Sequence, residues 1–214
     1  MPEIICTTVY RIEDLSDAAK SKAKTWYREL GPHDDWWEAV YDDFERVCEI
    51  LGVNLKTKPV RLMGGGTRQR PCIWYSGFWS QGDGACFEAY VRYAKGSVAE
   101  IKAYAPLDAE LHRIATAMQD LQRRNFYQLT ANVTRRGRYY HEFCMDIAVD
   151  RDSPTGQPLT DNAEVGITEA LRDLARWLYR QLRAEYDHLT SHEAVEEAIS
   201  INEYTFTEAG RRFG

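Results

Sequence analysis

Cys72-Ile-Trp-Tyr-Ser-Gly-Phe-Trp-Ser-Gln-Gly-Asp-Gly-Ala-Cys-Phe-Glu-Ala-Tyr-Val-Arg-Tyr93 sets two aromatic-rich runs on either side of Ser80-Gln81-Gly82-Asp83-Gly84. Aromatic and β-branched residues favour a pleated, half-buried surface, and the two glycines with Asp83 supply the backbone freedom a reversal needs. The pattern predicts a β-hairpin at the centre of an antiparallel sheet, with Cys72 opposite a residue near Val91.

Outward from it, Leu55 to Met63 reads as a strand broken by Gly64-Gly65-Gly66. Phe126 to Thr134 alternates apolar odd with polar even positions. Across Arg135-Arg136-Gly137-Arg138, Tyr139 to Val149 continues that alternation, so Tyr139, His141, Phe143, Met145, Ile147 and Val149 are expected on a buried face. Glu3 to Ile12 predicts a further strand, to be paired by a short edge strand at Ile201–Phe206. Helices are expected from Ala18 to Leu30 behind a Ser16/Asp17 cap, and from Asp34 or Asp35 to Leu51 through Trp37, Val40, Phe44 and Val47. Three more follow: from about Pro106 through Leu107, Leu111, Ile114, Met118 and Leu121; from Asp161 or Asn162 through Ile167, Leu171, Leu174, Leu178 and Leu182; and behind Ser191. The fold class is therefore α+β: an antiparallel sheet of about four to six strands packed by amphipathic helices, in a single domain over residues 1–214.

With 44% hydrophobic and 12% aromatic residues, the chain has ample material for a core. No window approaches the ~18 apolar residues of a membrane span and no signal-like leader opens the sequence, so a soluble, cytoplasmic protein without membrane partners is expected. Five cysteines at scattered spacings, without a Cys-x-x-Cys pair, predict free thiols in a reducing compartment.

Net charge is −6, but residues 61–140 carry twelve Lys/Arg against six Asp/Glu while both flanks are acidic. This segregation offers three candidate surfaces. Asp34, Asp35, Trp36, Asp42 and Asp43 at the second helix put carboxylates beside an aromatic anchor, a pattern suited to a basic protein partner. Arg68 and Arg70 beside the glycine run, with Arg135, Arg136 and Arg138 interleaved with aromatics, have the ingredients of phosphate contact and base stacking. Glu88, Glu142 and Asp146, expected on the polar sheet face, could hold a divalent metal. Solvated hairpin ends and an ordinary polar sheet face explain the last two equally well. Ser80, Asp83, Cys86 and His141 hold nucleophile and base types, but Asp83 has a sufficient task in the turn and His141 shares an apolar face, so no catalytic residue is assigned and no cofactor is expected. His188 and His192 lack the zincin pattern.

Leu62-Met-Gly-Gly-Gly-Thr-Arg-Gln69 and Tyr75-Ser-Gly-Phe-Trp-Ser-Gln-Gly-Asp-Gly-Ala-Cys-Phe-Glu88, with Glu13–Lys20 and Asn202–Thr207, resemble a family of small phage, prophage and plasmid proteins often labelled antitoxins of toxin-antitoxin stability systems. The resemblance implies a mobile element in a bacterial cytoplasm, and a conflict role. From it and the charge segregation, the leading expectation is a non-enzymatic inhibitor that binds a host or toxin protein, such as a toxin or a CRISPR-type defence complex. The alternative is a nucleic-acid-binding or metal-dependent nucleic-acid-processing protein. The oligomeric state is left open.

Overall fold

The computed structural model describes residues 6–32 and 35–214. In chain order these form α1 (Asp17–Leu30), α2 (Glu38–Leu51), β1 (Val53–Leu55), β2 (Thr57–Arg61), β3 (Thr67–Pro71), β4 (Ile73–Tyr75), β5 (Ala85–Phe87), β6 (Ala89–Val91), α3 (Ser97–Tyr104), α4 (Ala109–Arg124), β7 (Leu129–Arg135), β8 (Met145–Arg151), α5 (Ala163–Leu189) and α6 (His192–Ile201). The expected α+β class holds. Two compact units emerge, Met1–Trp37 with Arg183–Gly214, and Glu38–Leu182. No linker in the sequence marks their boundaries, one of which falls just before α2 and the other within α5. Among the described residues no helix is long and apolar enough to cross a membrane.

In the smaller unit, α1 and α6 are capped by Ser16 and Ser191, whose hydroxyls accept from Ala19 N and Ala194 N. Their apolar stripes meet in a core of Ile12, Leu15, Ala19, Ala23, Val195, Ile199 and Phe206. The expected terminal pairing exists as one antiparallel bridge, Tyr10 opposite Phe206, exchanging two backbone hydrogen bonds of 2.8 Å. Among the described residues the rest of the predicted N-terminal strand is not strand, and Glu3, Ile4 and Ile5 lie outside the described set.

The larger unit holds a four-stranded antiparallel sheet in the order β1-β6-β7-β8 and two two-stranded ladders, β2-β3 and β4-β5. One face of the four-stranded sheet is buried and the other bears exposed Asn54, Tyr90, Asn132 and Ala148. Phe44 of α2 lies against Phe87 of β5 and stacks on Trp177 of α5. Gly166 of α5 lets α4 approach closely, since a Cβ there would stand 2.8 Å from Leu121. Gln122 of α4 donates to Leu129 O at 2.8 Å and accepts from Leu129 N at 3.1 Å, so its buried amide takes a strand's place at the start of β7.

The expected aromatic hairpin is present, but its register differs from the expected one. Ile73 opposes Phe87 and Tyr75 opposes Ala85, around a loop of residues 76–84, and Cys72 meets Glu88 rather than a residue near Val91. Asp83 accepts from Trp79 N and Ser80 N, which folds several residues into the turn and lengthens it. Nor is the hairpin the sheet's centre: β4-β5 is a separate ladder, and the chain enters the main sheet only at β6. The reason is a junction. Lys56 N donates to Glu88 O (2.8 Å), Cys72 N to Lys56 O (2.7 Å) and Glu88 N to Cys72 O (2.9 Å). Three extended segments thus break at one place and exchange neighbours, β1 pairing β6, β2 pairing β3, and β4 pairing β5.

Three further expectations are corrected. Phe126 and Tyr127 have φ of 55° and 62° and form a turn, so β7 starts at Leu129. The β7-β8 ladder ends at Arg135 opposite Met145, which leaves Tyr139–His141 in a loop and Glu142–Cys144 in a 3-10 turn instead of on a buried strand. The helix expected near Pro106 starts at Ala109 behind Asp108, whose carboxylate accepts from Glu110 N and Leu111 N, and Leu107 is 96% exposed. Helix α3 has no counterpart in the sequence reading.

Candidate nucleic-acid interface

Register fixes which side chains share the uncovered sheet face. Asn54, Tyr90, Asn132 and Ala148 stand opposite one another in one row, all exposed, with Tyr90 at 56%. Rows on either side of it, Val53-Val91-Ala131-Val149 and Leu55-Ala89-Val133-Ile147, turn inward, and only Leu55 and Ile147 at the edges are half-buried. Lys56, at the junction, lays its ammonium 4.5 Å from the Tyr90 ring centroid and donates to Asn132 Oδ1 (2.8 Å) and Val133 O (3.0 Å).

Beyond Lys56 the basic residues converge on aromatics. Lys58 of β2 and Arg135 at the end of β7 both lie over Trp74, at 5.1 and 4.9 Å, and Arg135 also lies over Tyr140 at 5.2 Å. The Arg135 Nη1 donates to Gly137 O (2.8 Å), while its buried Nε has no hydrogen-bond partner. Lys58 opposes Arg70 on the β2-β3 ribbon and Val60 opposes Arg68, so Lys58, Arg70 and Arg68 share a ribbon face. Trp74 therefore joins the ribbon to the arginine turn, two basic groups that lie far apart in sequence. Arg68, Arg70, Arg136 and Arg138 are exposed. Arg136 pairs with Asp146 at 2.7 Å, and Arg138 lies 4.9 Å over Tyr139. Tyr140, among the aromatics interleaved with the arginine turn, and Tyr90, on the polar sheet face, are expected from the sequence; Lys56, Lys58 and Trp74 are not, although the even-numbered run Asn54-Lys56-Lys58 carries a faint signal.

The metal alternative loses its ligand set. Glu88 accepts from Arg135 N (2.9 Å), Glu142 has left the sheet for the 3-10 turn and pairs with Arg176 of α5 (3.0 Å), and Asp146 is held by Arg136. Among the described residues no group of three His, Cys, Asp or Glu is placed to hold a metal ion.

The acidic candidates are divided between the two units. Asp34 lies outside the described residues; exposed Asp35 and half-buried Trp36 belong to the smaller unit, where Trp36 meets the rings of Trp37 and Tyr186. Asp42 and Asp43 lie in the second turn of α2 in the larger unit and, as helix neighbours, point about 100° apart. Asp43 accepts from Tyr104 of α3. Asp42 lines an open cleft of about 500 Å³ with Glu45, Arg46, Glu49, Val53, Leu55 and Pro71. Burial, then the neighbouring Asp42, raise the Glu45 carboxyl.

His141 is spent locally, its Nδ1 accepting from Phe143 N (3.1 Å). Burial pushes the Cys86 thiol up to about 12, which removes it as a nucleophile near neutral pH. Neither the curated proteins nor the solved structures include a match to the chain. The domain family DUF8835, described as a domain of unknown function, matches residues 36–192, and the chain belongs to that family.

Proposed function

We propose that the larger unit binds single-stranded nucleic acid on the uncovered sheet face. The observation that carries this reading is exposed Tyr90 with the Lys56 ammonium over its ring, in the same basic region as half-buried Trp74, over which Lys58 and Arg135 both lie. Exposed rings accept base faces irrespective of sequence, and cations beside them meet the phosphates, which is the chemistry of single-strand recognition. The chain's net charge of −6 is no obstacle, because its positive charge is concentrated where the rings are. The setting that best agrees with this reading is a bacterial cytoplasm and a mobile element.

The test is fluorescence anisotropy of labelled single-stranded RNA and DNA across a salt series. Binding should weaken with salt at a slope of about −0.7 per phosphate contacted. Tyr90→Ala should cost about 1–3 kcal/mol, as loss of one stacked base does. Charge reversal at Arg68 and Arg70 should weaken all sequences alike and flatten the slope. Absence of binding at low salt, or affinity indifferent to Tyr90→Ala and to both reversals, would sink the reading.

A second reading, inhibition of a basic protein such as a toxin or a CRISPR-type complex, is favoured by the α2 cleft, where Asp42 and Glu45, beside the Arg46–Glu49 pair and above Val53, Leu55 and Pro71, suit a lysine or arginine side chain. It predicts that neutralising Asp42, Glu45 and Glu49 together abolishes capture of that partner, while leaving oligonucleotide affinity unchanged.

A further inference from the structure

The geometry points to a second stacking surface for the same ligand, in the connection between β7 and β8. This inference rests on the nucleic-acid reading and extends it. Residues 136–144 form a loop closed at its base by Arg136 N donating to Cys144 O (2.8 Å), so it projects from the sheet end where Arg135 meets Trp74. Along it Tyr139, His141 and Phe143 stand as a ladder, with ring centroids 6.2 Å apart and nearly parallel for the first pair, and 6.1 Å apart and edge-on for the second. Tyr139 is 49% and Phe143 63% exposed, although alternation alone assigned both to the core.

The ladder is held in the open. Gly84 has no side chain, and a Cβ there would lie 2.6 Å from His141 Cβ and 2.9 Å from its Cα, so the loop lies directly on the hairpin's backbone. Tyr139 makes only an ordinary contact with Gly82, its Cδ1 3.9 Å from where a Cβ would stand. At one end Arg138 covers Tyr139 and donates to its hydroxyl (2.7 Å); at the other, Arg172 and Arg176 lie 5.1 and 5.7 Å from Phe143. Arg176 is held by Glu142 and Asp173 and Arg172 by Glu169, so the charge offered to a phosphate is that of Arg138, and exposed rings beside it are complementary to bases on a phosphate chain. A base slotted between two rings needs about twice the ~3.4 Å stacking repeat. Separations of 6.2 and 6.1 Å fall short of that, so no base enters between the rings, and a base stacks on an outer face by displacing the guanidinium that covers it. The strand thus runs from Tyr90 past Trp74 and the arginine turn to Phe143.

The experiment is a length series of unlabelled-sequence oligothymidine and oligouridine, from about 4 to about 20 nucleotides, titrated into the full chain and into Tyr139→Ala/Phe143→Ala. The wild type should gain affinity with length until the ladder is covered; the variant should lose roughly 10-fold or more on the longest strands and almost nothing on the shortest. Photocrosslinking of a bromouridine strand, read by mass spectrometry, should label Tyr139 or Phe143. Wild-type binding at every length with no loss in the variant, or crosslinks confined to Trp74 and Tyr90, overturns the ladder and leaves the sheet reading intact. Absence of wild-type binding at any length overturns both. Circular dichroism of the variant confirms that it is folded, as expected for two exposed side chains.

Discussion

Substituting Gly84 by alanine tests how the hairpin and the β7-β8 connection are joined. Carbon atoms in contact settle at about 3.5–4.0 Å, whereas the added methyl would meet His141 Cβ at 2.6 Å, His141 Cα at 2.9 Å and Tyr140 O at 3.3 Å. Two of these are main-chain atoms, which no rotamer change can move, so the 139–144 segment must shift by about 1 Å. Overpacking of this kind costs about 1–3 kcal/mol, and for a chain of this size the midpoint should fall by about 3–10 °C. Gly77 provides the control within the same loop: its added methyl would meet only the Asp83 carboxylate, at an ordinary 3.4 Å, and its φ is not left-handed. Gly77→Ala should therefore stay within about 0.5 kcal/mol. Thermal and urea unfolding of both variants decide the matter. Equal stabilities would refute the claimed close approach, and with it the account of how Tyr139, His141 and Phe143 are held in the open.

Gln122→Ala leaves both backbone groups of Leu129 unpaired in a buried site and should cost about 2–4 kcal/mol in urea unfolding; a loss under 0.5 would show that α4 does not replace a strand there. For Asp173, burial favours the neutral acid, but hydrogen bonds from Arg113 and Arg176 outweigh it and hold the carboxyl below its ordinary value of 3.8. The unfolded chain then binds the proton more readily, so this contribution is complete above the ordinary value and is lost as pH falls through the lower folded one. Asp173→Asn should flatten the decline of the unfolding midpoint below about pH 4; an unchanged acid limb would contradict it. In thiol titration of the native protein at pH 8, exposed Cys6 should react first and half-buried Cys144 more slowly, while Cys48, Cys72 and Cys86 stay silent until denaturant is added. Prompt modification of Cys86, whose thiol burial raises to about 12, would mean that the hairpin opens readily.

Where a property is local, the residues announce it. Ser16 and Ser191 cap their helices, the stripes of α2 and α5 bury Phe44, Val47, Leu171 and Leu178, and Leu129, Ala131 and Val133 face inward as their alternation demands. Period-two reasoning failed at Tyr139 and Phe143 because it carries no information about where a strand loses its partner, and the last β7-β8 pair is Arg135 with Met145. The aromatic turn at Phe126-Tyr127 was equally hidden, since left-handed backbone is rare in such residues. The arginines of the interface were legible as a group. Their meeting with Lys58 over Trp74 was not, because it depends on three segments changing neighbours at one point.

That exchange has a consequence for the order of assembly and for engineering. Lys56, Cys72 and Glu88 follow one another at equal intervals of sixteen residues. The ladders between the first and second, and between the second and third, are local hairpins that can zip independently. Pairing of β1 with β6 is the clasp, and it can close only when both hairpins have stopped in register, since each contributes one hydrogen bond to the triangle. Length changes should therefore be sorted sharply by position. The tip at Gly64-Gly65-Gly66 lies outside every ladder and is open to an inserted tag or reporter, whereas deletion of one residue from β2, β3, β4 or β5 misaligns a hairpin and the clasp together.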